Sequence, residues 1–341
     1  MNQPRLHRDR SQYSFAARLG VLLSALLLLC ACERRELTYY TESEISIAVD
    51  WSRAGLEAEK DYGATLIVYP HSGSAPYVVL MGERESATVR LPPGMYDAVV
   101  FNRSFDDFAA LAFRGHETLE TFEAYARKVE TRSQTRVIVS SPERLAAATL
   151  TGFEVTEDML GNYAPAASRA TDCPQGKCRL ALTPLPLTQQ VNVKLNAKGL
   201  NNVRQARCTL QGVSLSIFMR DGQPGSQTGG QEFSLSDPEF LPGSISEGWL
   251  MGTINTFNLQ EGTDYGLDIK ALLVDGKTVV EQTAGKATVR RETDGDGNIV
   301  IYLEVDAPEP FPYVPPEGGT DSGFDAEVGD WEKEENTDID I

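Results

Sequence analysis

The feature that most limits the fold of this chain is a succession of short apolar runs, each stopped by glycine, proline or an Asp-Gly pair. Ile45, Ile47 and Val49 alternate with Ser46, Ala48 and Asp50, the period-two pattern of a half-buried strand. The run 64–69 ends at Pro70, the run 77–81 ends at Gly82, and the runs 87–91 and 95–102 are separated by Pro92-Pro93-Gly94, a turn between paired strands. A second series follows at 190–195, 208–219, 248–259, 265–274, 277–282 and 298–305, with Asp275-Gly276 and Asp296-Gly297 as two-residue hairpin signals. With 29 Gly and 18 Pro in 341 residues, turns outweigh long helices. The expected fold class is therefore all-β, mainly antiparallel, in two domains.

One stretch breaks the pattern. Across residues 117–130, Leu119, Phe122, Tyr125, Ala126 and Val129 recur at spacings of three and four, which predicts a short helical insertion in the first domain. The aromatics Phe101, Phe105, Phe108, Phe113, Phe122 and Tyr125 read as core in preference to a ligand-stacking cluster. Residues 136–139 look like a strand, and Ser141-Pro142-Glu143 carries the N-cap and N1 residues of a helix start. The first β domain is placed at 43–165, a Gly-, Pro-, Ala- and Ser-rich linker at 166–180, and the second β domain at 181–305.

The N-terminus has its own logic. Arg5, Arg8, Arg10 and Arg18 precede an apolar run over 19–29, a signal-peptide pattern too short to span about 30 Å of hydrocarbon as a helix. Leu29-Cys30-Ala31-Cys32 matches a bacterial lipobox, so residues 1–31 are read as a lipoprotein signal peptide and Cys32 as the lipidated residue. Residues 32–42 then form a lipid-tethered spacer. Three acyl chains at about 0.8 kcal/mol per buried methylene make such an anchor effectively permanent. Removal of 1–31 leaves 27 basic and 48 acidic residues, a net charge of −21, so membrane attachment has to come from the lipid and not from a polybasic patch.

Export places Cys173, Cys178 and Cys208 where disulfides form. Cys173 and Cys178, separated by Pro174-Gln175-Gly176-Lys177, are candidates for a short-loop disulfide; Cys208 reads as a buried strand cysteine. At the other end, residues 306–341 combine a proline-rich start with twelve acids against Lys333, a net −11. This charge favours a solvated tail, while Phe324, Val328, Trp331 and Ile339 favour a strand added to a partner or to the chain's own sheet.

Signs of chemistry are few. A net charge of −18 for the whole chain gives no basic surface for nucleic acid. His7, His71 and His116 lie in no nucleophile or zinc motif. Asp294-Gly295-Asp296-Gly297-Asn298 opens like a calcium loop, but Ile299 and Val305 stand where that loop requires glycine and a bidentate glutamate, and a hairpin turn accounts for the same residues. No enzyme activity, metal or cofactor is expected.

Three segments are more telling: Ile45 to Trp51, Ala64 to Pro70, and Val89-Arg90-Leu91-Pro92-Pro93-Gly94-Met95-Tyr96-Asp97-Ala98-Val99-Val100-Phe101-Asn102. An Asp-Trp closing the first strand, a Tyr-Pro ending the second, a Pro-x-Gly-x-Tyr turn before an Asn-terminated strand, and the element from Phe324-Asp325 to Asp330-Trp331 resemble a Bacteroidales lipoprotein family related to the anchor and accessory subunits of type V fimbriae. The resemblance implies two transthyretin-like β-sandwich domains, lipid anchoring in the cell outer membrane with surface exposure, and a non-catalytic structural or adaptor role in fimbrial assembly or anchoring. Its implied partners are membrane lipid, through acylated Cys32, and fimbrial subunits, by β-strand addition. The alternative is a surface glycan-binding lipoprotein using Trp51, Trp249 or Trp331.

Overall fold

A computed structural model describes residues 39–56, 62–129, 137–160, 162, 177–260, 262–293 and 299–316. The described residues are all-β, and most strand pairs are antiparallel. In the first half the strands are β1 (Ser43–Val49), β2 (Ala64–Pro70), β3 (Tyr77–Met81), β4 (Ser86–Leu91), β5 (Gly94–Asn102), β6 (Leu111–Arg114), β7 (Glu123–Ala126), β8 (Ile138–Ser140), β9 (Ala146–Val155), β10 (Lys177–Leu182) and β11 (Leu185–Pro186). One sheet has the order β10-β1-β4, with β10 parallel to β1, and a larger one has the order β11-β9-β5-β2-β3. The alternation read from the sequence explains how they pack. Ile45, Ile47 and Val49 of β1 point inward to meet Leu66 and Val68 of β2 and Ala98 and Val100 of β5 in a closed apolar core.

The second half holds β12 (Gln189–Lys198), β13 (Val203–Ser214), β14 (Ser216–Phe218), β15 (Thr228–Leu235), β16 (Asp237–Phe240), β17 (Glu247–Thr256), β18 (Tyr265–Leu273), β19 (Val279–Thr293) and β20 (Ile299–Asp306). With β8 they form a nine-stranded sheet ordered β16-β17-β12-β20-β19-β18-β13-β15-β8. The sheet folds over on itself around Val193, Leu195, Leu210, Leu267, Ile269 and Leu303. Two long strands turn the corners. β19 pairs with β18 through Ala287 and with β20 from Thr288 onward, and the register slips beside Gly285 where it changes partner. Similarly, β15 pairs with β13, and β16, one residue later, pairs with β17. Bulges and bends of this kind let one strand serve two packed layers.

The expected helical insertion is not there. Residues 116–121 form turns and 123–126 form β7, which pairs with β6 on one side and β14 on the other. Gly115 adopts φ +64 and packs its α-carbon against the Thr121 carbonyl, while Thr121 Oγ1 donates to Gly115 O at 2.8 Å, so the chain folds back before a helix can propagate. Leu119, Phe122 and Ala126 are buried all the same, as the spacing required; they reach the core from a turn and a strand. The helix start expected at Ser141-Pro142-Glu143 is likewise absent: residues 141–145 form no regular element and lead into β9.

The inserted segment instead joins the halves. β14 of the second half completes a small sheet with β7 and β6, and β8 of the first half runs parallel to β15 at the end of the nine-stranded sheet. A third core fills the junction, with Ile67, Val99, Phe101, Phe108 and Phe122 meeting Leu215, Ile217, Met219 and Phe257. Residues 177–180, assigned to a linker by composition, are strand in register with β1. Past β20 the proline-rich segment stays on the fold through residue 316: Phe311 is buried, and its N–H donates to Lys198 O at 2.9 Å. The remainder of the expected tail lies outside the described residues.

Candidate functional site

Sheet edges are the reactive features of an all-β protein, because each carries unpaired backbone donors and acceptors. Most edges here are guarded. β16 displays Asp237, Pro238 and Glu239, all exposed. β8 is covered by the segment before it, with Val129 N–H donating to Ile138 O and Ser140 N–H to Arg127 O. β14 is closed by its own loop through Phe218 N–H to Gln223 O, and β11 has two residues, one of them Pro186. Ahead of β6, the N–H groups of Ala109 and Ala110 go to Glu143 Oε1 at 2.6 and 2.8 Å. β4 presents Arg90, and β10 carries Arg179.

β3 is different. Its five residues, Tyr77-Val78-Val79-Leu80-Met81, include no charge and no proline, and among the described residues it pairs only with β2. Tyr77, Val79 and Met81 face the first core, while Val78 and Leu80, on the opposite face, are 49% and 67% exposed. Val78 stands beside Ile67 and Leu80 beside Thr65, so the two side chains carry the apolar face of the junction out to the sheet margin. The arrangement can accept a further strand through the backbone and offer it two apolar side chains. The sequence identified the strand but not its place at an edge; the signal available was an apolar run lacking the charge or proline that protects the other margins.

The junction contains a largely buried carboxylate. Glu123 of β7 accepts from Arg114 Nε at 2.6 Å and from Ser216 Oγ of β14. Burial opposes its ionisation, but the hydrogen bonds from Arg114 and Ser216 and the Arg114 charge outweigh this and hold the carboxyl below the usual carboxylate range. Gly225 sits directly over this pair, where a side chain would collide with Ser216 Oγ. This is a structural clasp between two halves of the chain.

The residues singled out from the sequence lie apart from β3. Cys32 and Cys173 are outside the described residues, and Cys178 is placed by its backbone opposite Ile45. Cys208 is a free thiol in the second core, its ionisation pushed up to about 12 by burial. His71 Nε2 lies 3.0 Å from Asp97 Oδ1 at the surface, and His116 packs on Phe105. Trp51 is buried and donates from Nε1 to Arg84 O at 2.8 Å, which removes it as a sugar platform; Trp249 is half-buried, and Trp331 lies outside the described residues. Phe101, Phe108 and Phe122 are core. Among the described residues no three His, Cys, Asp or Glu side chains converge to hold a metal ion.

Known proteins give this geometry a context. The chain is 36% identical over 106 residues to the "Putative fimbrium anchoring subunit Fim4B" of Bacteroides ovatus, an alignment that takes in 31% of this chain and 30% of that protein. The match thus spans under a third of the curated relative's length. A crystal structure described as a putative adhesin from Bacteroides ovatus superposes over 84% of this chain and 99% of its own, with a TM-score of 0.54 at 18% identity, which establishes a shared fold. The fimbrial anchor protein Mfa2 of Porphyromonas gingivalis aligns over 79% of this chain and 100% of its own at 10% identity, with a TM-score of 0.39, too loose a likeness to carry argument. The family model of DUF5119, a domain of unknown function, matches residues 31–233, more than half of the chain. The resemblance read from the strand-end motifs is therefore borne out, and the chain belongs to the DUF5119 family.

Proposed function

We propose that this protein is an outer-membrane lipoprotein that works without catalysis as a structural or adaptor subunit in fimbrial assembly or anchoring. The observation that carries the reading is the unguarded edge of β3, where Val78 and Leu80 lie exposed beside an unpaired strand margin. An edge left free among the described residues, where most others are guarded, is suited to receive a partner strand. The partial likeness to Fim4B supplies the class of partner, a fimbrial subunit, and β-strand addition supplies the mode.

The remaining parts fit the same role. Residues 1–31 act as a lipoprotein signal peptide and Cys32 takes the acyl chains; the family match beginning at residue 31 supports a mature chain that starts beside it. The two halves are transthyretin-like sandwiches, the location is the cell surface, and Cys173 and Cys178 form a short-loop disulfide.

The test is a photoreactive residue at position 80 in the living bacterium. A crosslink to a fimbrial subunit from position 80, and none from the also exposed Tyr313 at the far end of the second half, is the expected outcome. Crosslinks to no fimbrial subunit from either position would contradict strand addition at β3.

A further inference from the structure

We infer that the end of the molecule bearing Tyr39 and Tyr40 rests on the membrane, in the interfacial zone of the bilayer that holds acylated Cys32; this rests on the lipid anchoring proposed above. Strand directions fix the ends. β9 begins at the junction, where Leu187 and Thr188 donate their N–H groups to Leu145 O, and finishes about 30 Å away at Val155, opposite Gly94 at the start of β5. Ser43 lies at that far end, opposite Leu91, with its Oγ donating to Met159 O at 2.9 Å. In the second half β12 starts at the junction, where Arg144 Nη2 donates to Gln190 Oε1, and its last residue, Lys198, meets Phe311 at the other extreme. Tyr39 and Phe311 therefore occupy opposite ends of the two joined halves.

The N-terminal end is built in a way that a simple spacer does not need. Tyr40 is clamped by Asn162, whose Oδ1 accepts from Tyr40 N–H at 2.8 Å and whose Nδ2 donates to Tyr40 O at 2.6 Å. The clamp holds two adjacent aromatic side chains outward, Tyr39 at 67% and Tyr40 at 54% exposure. They border an open groove of about 340 Å³ that also reaches Arg90 and Met159. Tyr39 follows Cys32 by seven residue steps, a span of at most about 25 Å, so an acylated Cys32 cannot leave this end far from the headgroups. Tyrosine is the side chain suited to that zone, apolar in body and polar at its tip. The single cation of the groove, Arg90, is offset by Glu42 and Glu44, which points to zwitterionic headgroups and away from anionic ones.

The experiment compares Tyr39→Trp and Tyr313→Trp in the full acylated chain, reconstituted in phosphatidylcholine vesicles with and without bromine on the acyl chains. Difference emission against the wild-type protein isolates the added tryptophan. The expected result is that brominated lipid removes most of the emission of the tryptophan at 39 and leaves the one at 313 untouched. Equal emission from both positions, in protein whose Cys32 is shown by mass spectrometry to carry its acyl chains, overturns the membrane-resting end while leaving the anchor intact. Unmodified Cys32 in the same spectrum overturns the anchor itself, and this inference with it.

Discussion

Ser141 and Asn255 hold each other across the two halves of the chain: Ser141 Oγ donates to Asn255 O at 3.0 Å and accepts from Asn255 N–H at 2.9 Å, while Asn255 Nδ2 donates to Pro142 O at 3.1 Å. One hydroxyl thus satisfies both backbone groups of a residue near the end of β17. Ser141→Ala leaves the Asn255 N–H without this acceptor in a partly buried place, while Asn255 O keeps its bond from Gln231 Nε2 at 2.7 Å, at a cost of about 1–3 kcal/mol. Urea unfolding of the variant is expected to show a lower midpoint with an unchanged slope. An unchanged midpoint would mean that the apolar junction alone holds the halves together.

Glu123 makes the junction sensitive to acid. Its carboxyl titrates lower in the folded chain than in the unfolded one, so the stability it adds is complete above the unfolded value, near pH 4.3, and fades as the pH falls through the folded value. Glu123→Gln is therefore expected to be less stable than the wild type at pH 7, and the gap between the two is expected to close as the pH drops below about 4. Thermal melts of both proteins between pH 7 and pH 3 measure it. A gap independent of pH would show that shape, and not charge, accounts for the role of Glu123.

Gly199 ties the proline-rich segment to the second core. It adopts φ +78, and a β-carbon there would collide with the Phe311 carbonyl. Left-handed strain of about 1–2 kcal/mol adds to that clash, so Gly199→Ala is expected to lower stability and release residues 307–316 from β12. Hydrogen exchange at the Phe311 amide, bonded to Lys198 O in the wild type, should accelerate in the variant.

Cys208 should be silent toward alkylation. Burial pushes its thiol up to about 12, so iodoacetamide at pH 8 is expected to leave it unmodified in the folded protein and to label it fully in urea. Labelling without denaturant would show that the second core opens readily.

The sequence spoke most clearly where structure is local. The runs stopped by Pro70, Gly82 and Pro92-Pro93-Gly94 correspond to β2 through β5 within about a residue, because turn residues punctuate them and β-branched residues fill them. It misled at 117–130, where the spacing of Leu119, Phe122 and Ala126 reflects one shared core and not one helix. β9 passed unnoticed since its start, Ala146-Ala147-Ala148, lacks the branched side chains that mark a strand. The same applies to Ser141-Pro142-Glu143, whose polar groups serve Asn255, Ala109 and Ala110 in place of a helix terminus. Such long-range uses leave no periodic trace, and the free edge of β3 became visible only once its neighbours were known.

The most direct measurement of the central claim is the distribution of fimbriae between cells and medium in the source bacterium when this gene is deleted and then restored with wild-type or Leu80→Lys protein. Deletion is expected to alter fimbrial length or release fimbriae into the medium; wild-type protein should reverse this, and Leu80→Lys, which places a charge on the free edge at a site too exposed to unfold the chain, should not. Fimbriae of normal length, fully retained on cells that lack the protein, would contradict the account.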